Sequence, residues 1–268
     1  MNRSETGINP DQAHESEMSK DKYKRIKEEF LKPFSDDEID SEWSVMGQKN
    51  FLYRSKLMMN RDFEGWSLKA YLADRRGRCV DFQLIDDEGN KKAEIIFEKE
   101  GSTTHWKLIH RTVETGEVGI TGSEFLQQAE NFMNKVSDLE YESVSKFAAN
   151  SSQPTTTEWL LKNGYEFHKK DDEEKYEDYL KHPENYELIN IDYKFDGKDS
   201  YKKDLFIFEK SKIDWVALGK VLNEGLSEPL GLDRPIGLKT THPRMLRLPG
   251  LVRFTLIKKA ENEFAKSK

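Results

Sequence analysis

Alternating apolar and polar positions in the first half of the chain predict a series of β-strands. Residues 66–72 alternate as a half-buried strand does. Two apolar-rich stretches, 79–85 and 93–97, flank residues 86–90, whose Asp, Gly and Asn residues tolerate positive φ, and this combination predicts a hairpin. Residues 105–113 follow a Gly-Ser turn and are predicted to form the next strand. The sequence therefore indicates a sheet in this part of the chain.

After this sheet region, the apolar spacing changes from two residues to three and four, which predicts an amphipathic helix. Thr121 and Glu124 have the spacing of a capping box, so the helix is predicted to begin at Gly122. Its predicted buried face consists of Phe125, Leu126, Ala129, Phe132, Met133 and Val136.

The order of elements continues beyond this helix with further strands and helices. Residues 141–149 are predicted to form a strand, 156–163 a short helix that ends at Gly164, and 165–168 the start of another strand. The charged run 171–175 is interpreted as the solvated face of a helix. Later predicted elements are strands at 188–195, 204–208 and 251–257, a weak helix at 214–226 and an irregular loop at 229–249.

This organisation predicts an α/β or α+β fold with a central mixed sheet and one main domain. The start of the chain is polar and has no apolar period, as is typical of a segment that does not fold alone. We divide the chain into a disordered tail (1–18), an N-terminal helical segment (19–42), the α/β core (43–180) and a C-terminal extension with added strands (181–268).

Composition excludes several functional classes. Asp and Glu (50) outnumber Lys and Arg (43), and the net charge of −7 argues against nucleic acid as a partner. No apolar stretch approaches the roughly 20 residues that span a bilayer, so no membrane partner is expected. Cys79 is the only cysteine, which excludes an internal disulfide and favours the cytoplasm. The histidines lack the spacing of metal ligands, so no metal site is predicted, and no Gly-x-Ser-x-Gly hydrolase motif occurs.

The turn before the predicted helix has the chemistry of an anion site. A helix N-terminus carries unpaired N–H groups and the positive end of the helix dipole, and both favour a phosphate group. Glycine permits close approach of a ligand to the main chain, and the hydroxyl groups of Thr121 and Ser123 add hydrogen-bond donors. The candidate cofactor-binding residues in this turn are Gly119, Ile120, Thr121, Gly122 and Ser123.

Together with the flanking segments, this turn resembles a motif of the GNAT acetyltransferase family. The resemblance rests on residues 113–126, 129–133 and 153–165 and covers about residues 77–168. It implies an acyl-CoA N-acyltransferase-like core, acetyl-CoA as co-substrate, and a primary amine of a small molecule or protein as acceptor. It also implies that the turn holds the CoA diphosphate and that Gln153 occupies a cofactor-binding position.

The same resemblance suggests where the proton of the amine could go. Amine acetylation needs a base, and His110 and Glu114 are the catalytic candidates because they end the strand before the turn. In this family a splay between that strand and the next opens the acyl site. His105 is a weaker alternative, because residues five positions apart face opposite sides of a regular strand and only one of the two histidines can face the cleft.

A second hypothesis is a catalytically silent protein of this kind that binds CoA or a protein partner. Glu117 stands where the family usually has Arg or Gln. Leu160 stands where the family often has a tyrosine that serves as the general acid. The oligomeric state is left open, and a homodimer is one alternative because an added terminal strand can pair between subunits.

Overall fold

The structure is a computed structural model that describes residues 21–40, 56–74, 78–113, 119–194, 201–224 and 248–261. Residues 21–30 form helix α1. The other helices are α2 (Gly122–Asp138), α3 (Pro154–Lys162), α4 (Lys170–Lys181) and α5 (Trp215–Glu224). The strands are β1 (Lys56–Phe63), β2 (Trp66–Asp74), β3 (Arg78–Ile85), β4 (Lys91–Lys99), β5 (His105–Val113), β6 (Lys146–Ser151), β7 (Glu166–Phe167), β8 (Tyr186–Lys194), β9 (Tyr201–Glu209) and β10 (Phe254–Lys259).

The fold is a mixed α/β arrangement with one large sheet. Eight strands lie in the order β1-β2-β3-β4-β5-β6-β10-β7. All neighbouring pairs are antiparallel except β5 and β6, which are parallel because α2 connects them as a crossover. The last strand, β10, lies between β6 and β7. Residues on both sides of the predicted boundary at 181 therefore contribute to one sheet, while the four-part division of the chain stays a prediction.

The hairpin of β8 and β9 forms a second, two-stranded sheet. It attaches to the carboxyl end of β6, where the N–H of Ile207 donates to the carbonyl of Ser152 at 2.9 Å. It also contacts the residues before β10, where the N–H of Glu209 donates to the carbonyl of Gly250 at 2.8 Å. A small separate core supports this unit and includes Phe206, Phe208, Leu218, Val221 and Leu248.

The two faces of the main sheet differ in character. Helices α1 and α2 pack on the face that carries Phe82, whose ring contacts Phe125 at a centroid distance of 5.5 Å. Phe30 of α1 stacks on the same Phe125 ring at 6.0 Å. Asp81 and Gln83 alternate with Phe82 along β3 and therefore lie on the opposite face. None of the helices in the described part of the chain is long and apolar enough to cross a membrane.

Most predicted elements within the described residues are confirmed, and the boundaries of β6 and α3 are corrected; the tail 1–18 and nearly all of the loop 229–249 lie outside those residues. The helix begins at Gly122 with the predicted capping box, and its six predicted core residues are buried. The strand predicted at 141–149 begins only at Lys146, because Tyr141 and Glu142 donate their N–H groups to Val136 and thereby end α2. The helix predicted at 156–163 begins earlier, at Pro154, which suits the first helical position.

Gly250 is predicted to be essential for attaching the hairpin to the main sheet. Its φ is +84°, and a Cβ atom there would lie 3.0 Å from the carbonyl carbon of Lys212 and 3.1 Å from the carbonyl oxygen of Glu209. Both the backbone conformation and the lack of space oppose a side chain. Gly250→Ala should therefore lower the free energy of unfolding by about 2–3 kcal/mol, measured by urea denaturation.

Gly89→Ala is the matched control for this prediction. Gly89 has nearly the same φ of +82°, but nothing lies within 4 Å of its added Cβ. Gly89→Ala should therefore lower the free energy of unfolding only by the cost of the backbone conformation, about 1 kcal/mol. Equal losses in the two variants would contradict the steric role of Gly250.

Candidate active site

Strands β5 and β6 pair at one end and separate at the other. Their ladder runs from His105 opposite Lys146 to Leu108 opposite Ala149 and ends there. Beyond that point β5 stays paired with β4 as far as Val113, and β6 stays paired with β10 as far as Ser151. The carboxyl ends of these two parallel strands are therefore not paired with each other, and we call the space between them the gap.

Two helix N-termini lie at the same edge of the sheet as this gap. Helix α2 begins after β5, and α3 begins three residues after the last residue of β6. Carboxyl ends of parallel strands meet at one edge of a sheet, which is where α/β proteins commonly bind ligands. The gap, Gly122 and Gln153 therefore belong to one region.

The start of α2 is closed by a capping box. The Thr121 hydroxyl accepts the N–H of Glu124 at 3.2 Å, and the Glu124 carboxylate accepts the N–H of Thr121 at 2.8 Å. The Thr121 hydroxyl also donates to that carboxylate at 3.0 Å. Lys27 of α1 forms an ion pair with Glu124 at 2.7 Å. The sequence predicted the cap, but it gave no sign that α1 would supply a cation beside it.

The electrostatics of this cap keep Glu124 ionised. Partial burial opposes ionisation, but the hydrogen bond from Lys27 and those from Thr121 outweigh it and lower the pKa of Glu124. The carboxylate thus uses the N–H of Thr121. Among the described residues, no acceptor is found for the N–H groups of Gly122 and Ser123, so these two remain available to an anion.

The remaining residues of the turn can act only through their main chain or their position. The side chain of Ile120 is buried in the core, with 3% exposure. Gly119 is exposed and has a φ of +65°, a conformation that glycine adopts without strain. The turn thus exposes backbone, whereas its apolar side chain anchors it to the core.

Gln153 lies at the start of α3, as the residue that precedes its first turn. Its side-chain carbonyl accepts the Thr156 hydroxyl at 2.7 Å, and its main-chain carbonyl accepts the Thr157 hydroxyl at 2.9 Å. Ser151 accepts both the N–H of Gln153 and the Thr157 hydroxyl. These bonds hold Gln153 in place beside the gap and use its carbonyl groups.

The two catalytic candidates have different outcomes. Glu114 lies outside the described residues, as does Glu117. His110 lies on β5 beyond its last pair with β6, so its position borders the gap.

The expectation that His105 and His110 lie on a regular strand is wrong, because β5 contains a bulge. Phe97 pairs with Leu108 and Ile96 pairs with His110, which leaves Ile109 as an extra residue. The alternation argument for separating the two histidines therefore fails.

A buried polar network beneath α2 was not predicted from the sequence. Glu130 is 3% exposed, and its carboxylate accepts the Tyr165 hydroxyl at 2.8 Å and the Lys258 ammonium at 2.6 Å. Burial raises the pKa of Glu130, which Lys258 and Tyr165 partly offset. Burial, with the charge of Glu130, also raises the pKa of Tyr165 well above its ordinary value. The only sequence signal was a Glu next to Ala129 on the apolar side of the helix.

A polar groove of about 280 Å³ begins at the start of α2 and runs between this helix, the end of α3 and the strands β6 and β10. Its lining includes Ser123, Asn131, Lys162 and Lys259, and also the carboxylates of Glu124, Glu130 and Glu261. The groove provides room for polar parts of a ligand next to the available N–H groups. In the described ranges, no three His, Cys, Asp or Glu side chains are grouped as a metal site requires.

Comparison with known proteins gives one distant likeness. No protein-family model matches the chain, and no curated protein matches it. A crystal structure of a protein provisionally named as a phosphinothricin N-acetyltransferase matches with 16% identity, covering 50% of this chain and 70% of that chain, at a TM-score of 0.27. A TM-score this low does not establish a shared fold, so the functional argument rests on the geometry above.

Proposed function

We propose that this chain is a GNAT-type acyltransferase that moves an acetyl group from acetyl-CoA to a primary amine of a small molecule or protein. The parting of parallel strands β5 and β6 beside the start of α2 is the observation that supports this function most directly. It supplies, at one sheet edge, an anion-binding helix start and a gap for an extended ligand.

Acetyl-CoA has a charge and shape that suit this arrangement. Its diphosphate would accept hydrogen bonds from the N–H groups of Gly122 and Ser123, where the helix dipole is also favourable. Its arm contains two amide groups, which can bond to the strand edges that face the gap in place of a missing sheet neighbour. The thioester would then lie between the two strands.

The proposed reaction is direct attack in a ternary complex. The amine nitrogen forms a bond to the thioester carbonyl carbon, the carbon–sulfur bond breaks, and CoA leaves as its thiol after taking up a proton. The attacking ammonium must first lose a proton. His110, whose backbone borders the gap, and Glu114 are proposed as acceptors of that proton.

Binding and chemistry are tested by two separate measurements. Acetyl-CoA that binds only the folded chain should raise its melting temperature. Release of free CoA thiol in the presence of a panel of primary amines should follow. No thermal shift at millimolar acetyl-CoA would contradict cofactor binding, whereas a shift without thiol release would contradict only the transferase activity.

Ser123→Glu should weaken acetyl-CoA binding by about tenfold or more, measured by calorimetric titration, because it places a second carboxylate beside the diphosphate. An acid in the first turn is otherwise favourable for a helix, so folding should be preserved. Ser102→Glu is the matched control: Ser102 is exposed in the turn before β5, at the other end of that strand. Equal affinities of Ser123→Glu and Ser102→Glu would contradict the proposed diphosphate site.

The second candidate is a silent CoA-binding or protein-interaction module. Two observations favour it: the Glu124 carboxylate occupies part of the helix start, and Leu160, which stands at the family's tyrosine position, is 1% exposed in the core. Acetyl-CoA binding with no thiol release for any amine would favour this candidate.

The expected setting follows from composition and from Cys79, which is the only cysteine of the chain and is buried. We propose a cytoplasmic protein whose partners are acyl-CoA and an amine acceptor, with neither nucleic acid nor membrane among them.

A further inference from the structure

A pair of acidic side chains lies in the middle of the sheet, on the face opposite α1 and α2. Asp81 and Gln83 of β3 alternate with the core residue Phe82. Glu94 of β4 lies directly opposite Gln83. Glu94 is 2% exposed, which is unusual for a carboxylate at the centre of a sheet.

The contacts of these groups are tightly connected. The Gln83 amide donates to Asp81 Oδ2 at 2.6 Å and reaches Glu94 Oε1 at 3.5 Å. Lys91 donates to the same Glu94 oxygen. The Gln83 amide therefore lies against both carboxyl groups, and the charge of Glu94 acts on Asp81. Asp81 Oδ1 is fully buried and has no partner among the described residues.

The strands on either side of the pair place both charged and neutral residues around it. Lys69 and Tyr71 of β2 lie opposite Gln83 and Asp81, and Lys91 of β4 is the ammonium in contact with the pair. On β5, Thr112 lies opposite Glu94 and His110 opposite Ile96. Two buried like charges in contact with one amide group disfavour full ionisation, and a proton held between the carboxyl groups would remove that repulsion.

We propose that Asp81 and Glu94 share one proton across β3 and β4, and that losing this proton near neutral pH weakens the fold, which makes the pair a pH-sensitive switch. This proposal does not depend on the proposed transferase activity.

The expected titration agrees with the geometry. Burial, and then the charge of Glu94, raise the pKa of Asp81 from 3.8 to about 7, against the opposing effects of Gln83 and Lys91. Burial, with a contribution from Asp81, also raises the pKa of Tyr71. Since the folded-state pKa of Asp81 lies above the unfolded one, its stabilising effect is complete below about pH 4 and is lost as pH rises to about 7. The folding equilibrium constant should fall by up to about a thousandfold across this range.

Urea denaturation of the full chain at pH 5 to 9 tests the proposal. The stability of the wild type should decrease between pH 5 and 8. Asp81→Asn should remove most of this slope and be more stable than the wild type at pH 8. Glu94→Gln should also reduce the slope, because it removes the neighbouring charge. Asp86→Asn is the control: hydrogen bonds from Asn90 and Lys92 outweigh the opposing desolvation and lower the pKa of Asp86, so the slope should persist.

A wild-type stability that does not change between pH 5 and 8, or a slope retained in Asp81→Asn, would overturn the proposal. If the variants do not fold, carboxyl carbon NMR shifts of the wild type decide the question. One Asp resonance that titrates near pH 7 is expected, and titration of every Asp below pH 5 would contradict it.

Discussion

Lys258→Met is expected to lower the free energy of unfolding by about 3–5 kcal/mol at pH 7. The Lys258 ammonium lies 2.6 Å from the carboxylate of Glu130, which is almost completely buried. Removing the cation would leave a buried carboxylate with only the Tyr165 hydroxyl as a neutral donor. Breaking one partner of a buried pair costs far more than the pair itself contributes. Urea denaturation measures the loss.

Two controls separate the buried charge from the loss of a lysine. Glu130→Gln in the Lys258→Met background removes the uncompensated charge and should recover most of the stability. Lys162→Met breaks an ion pair with Glu158 that is 70% and 59% exposed on its two sides, and it should cost less than about 1 kcal/mol. Similar losses for Lys258→Met and Lys162→Met would contradict the structural role of Glu130.

Phe82→Ala is expected to lower the free energy of unfolding by about 3–5 kcal/mol, because it removes a large side chain from a packed core. The Phe82 ring contacts the rings of Phe34, Phe125 and Phe132 at 6.2, 5.5 and 5.7 Å between centroids. It therefore joins the sheet to α2 and to the segment after α1. The loss should appear as a reduced urea midpoint.

Leu57→Ala provides a control for Phe82→Ala on the edge strand β1. Leu57 is 42% exposed, so its truncation should cost less than about 1 kcal/mol. If Phe82→Ala were no more destabilising than Leu57→Ala, the helices and the sheet would not share one core.

Elements that depend on residues close together in the sequence could be predicted from it. The start of α2 depends on Thr121 and Glu124, three positions apart, and the hairpin of β3 and β4 depends on turn residues between them. The boundary of β6 was misplaced because α2 uses the N–H groups of Tyr141 and Glu142 for its C-terminus, which the apolar pattern does not report.

Features that depend on distant partners could not be predicted. The insertion of β10 between β6 and β7 joins segments about 90 residues apart, and no local pattern indicates a sheet neighbour at that separation. The bulge at Ile109 breaks an alternation that the sequence suggested was regular. The ion pair of Lys27 with Glu124 and the network of Glu130, Tyr165 and Lys258 likewise require tertiary packing.

The candidate site also combines features that depend on local sequence with features that depend on tertiary structure. The turn from Gly119 to Ser123 could be predicted as an anion site because helix-start chemistry is local. Its prediction as a row of free N–H groups is only partly met, since Glu124 uses the N–H of Thr121. The family resemblance implied a splay between β5 and β6, but the place where their pairing ends, at Leu108 and Ala149, comes from the three-dimensional structure.

A crystal structure of the full chain with CoA is the most direct test of acetyl-CoA binding between β5 and β6. The expected result is a diphosphate within hydrogen-bond distance of the N–H groups of Gly122 and Ser123, with the arm of CoA between the strands beyond Leu108 and Ala149. CoA bound elsewhere, or no CoA in the gap at saturating concentration with the cap of Thr121 and Glu124 unchanged, would contradict it.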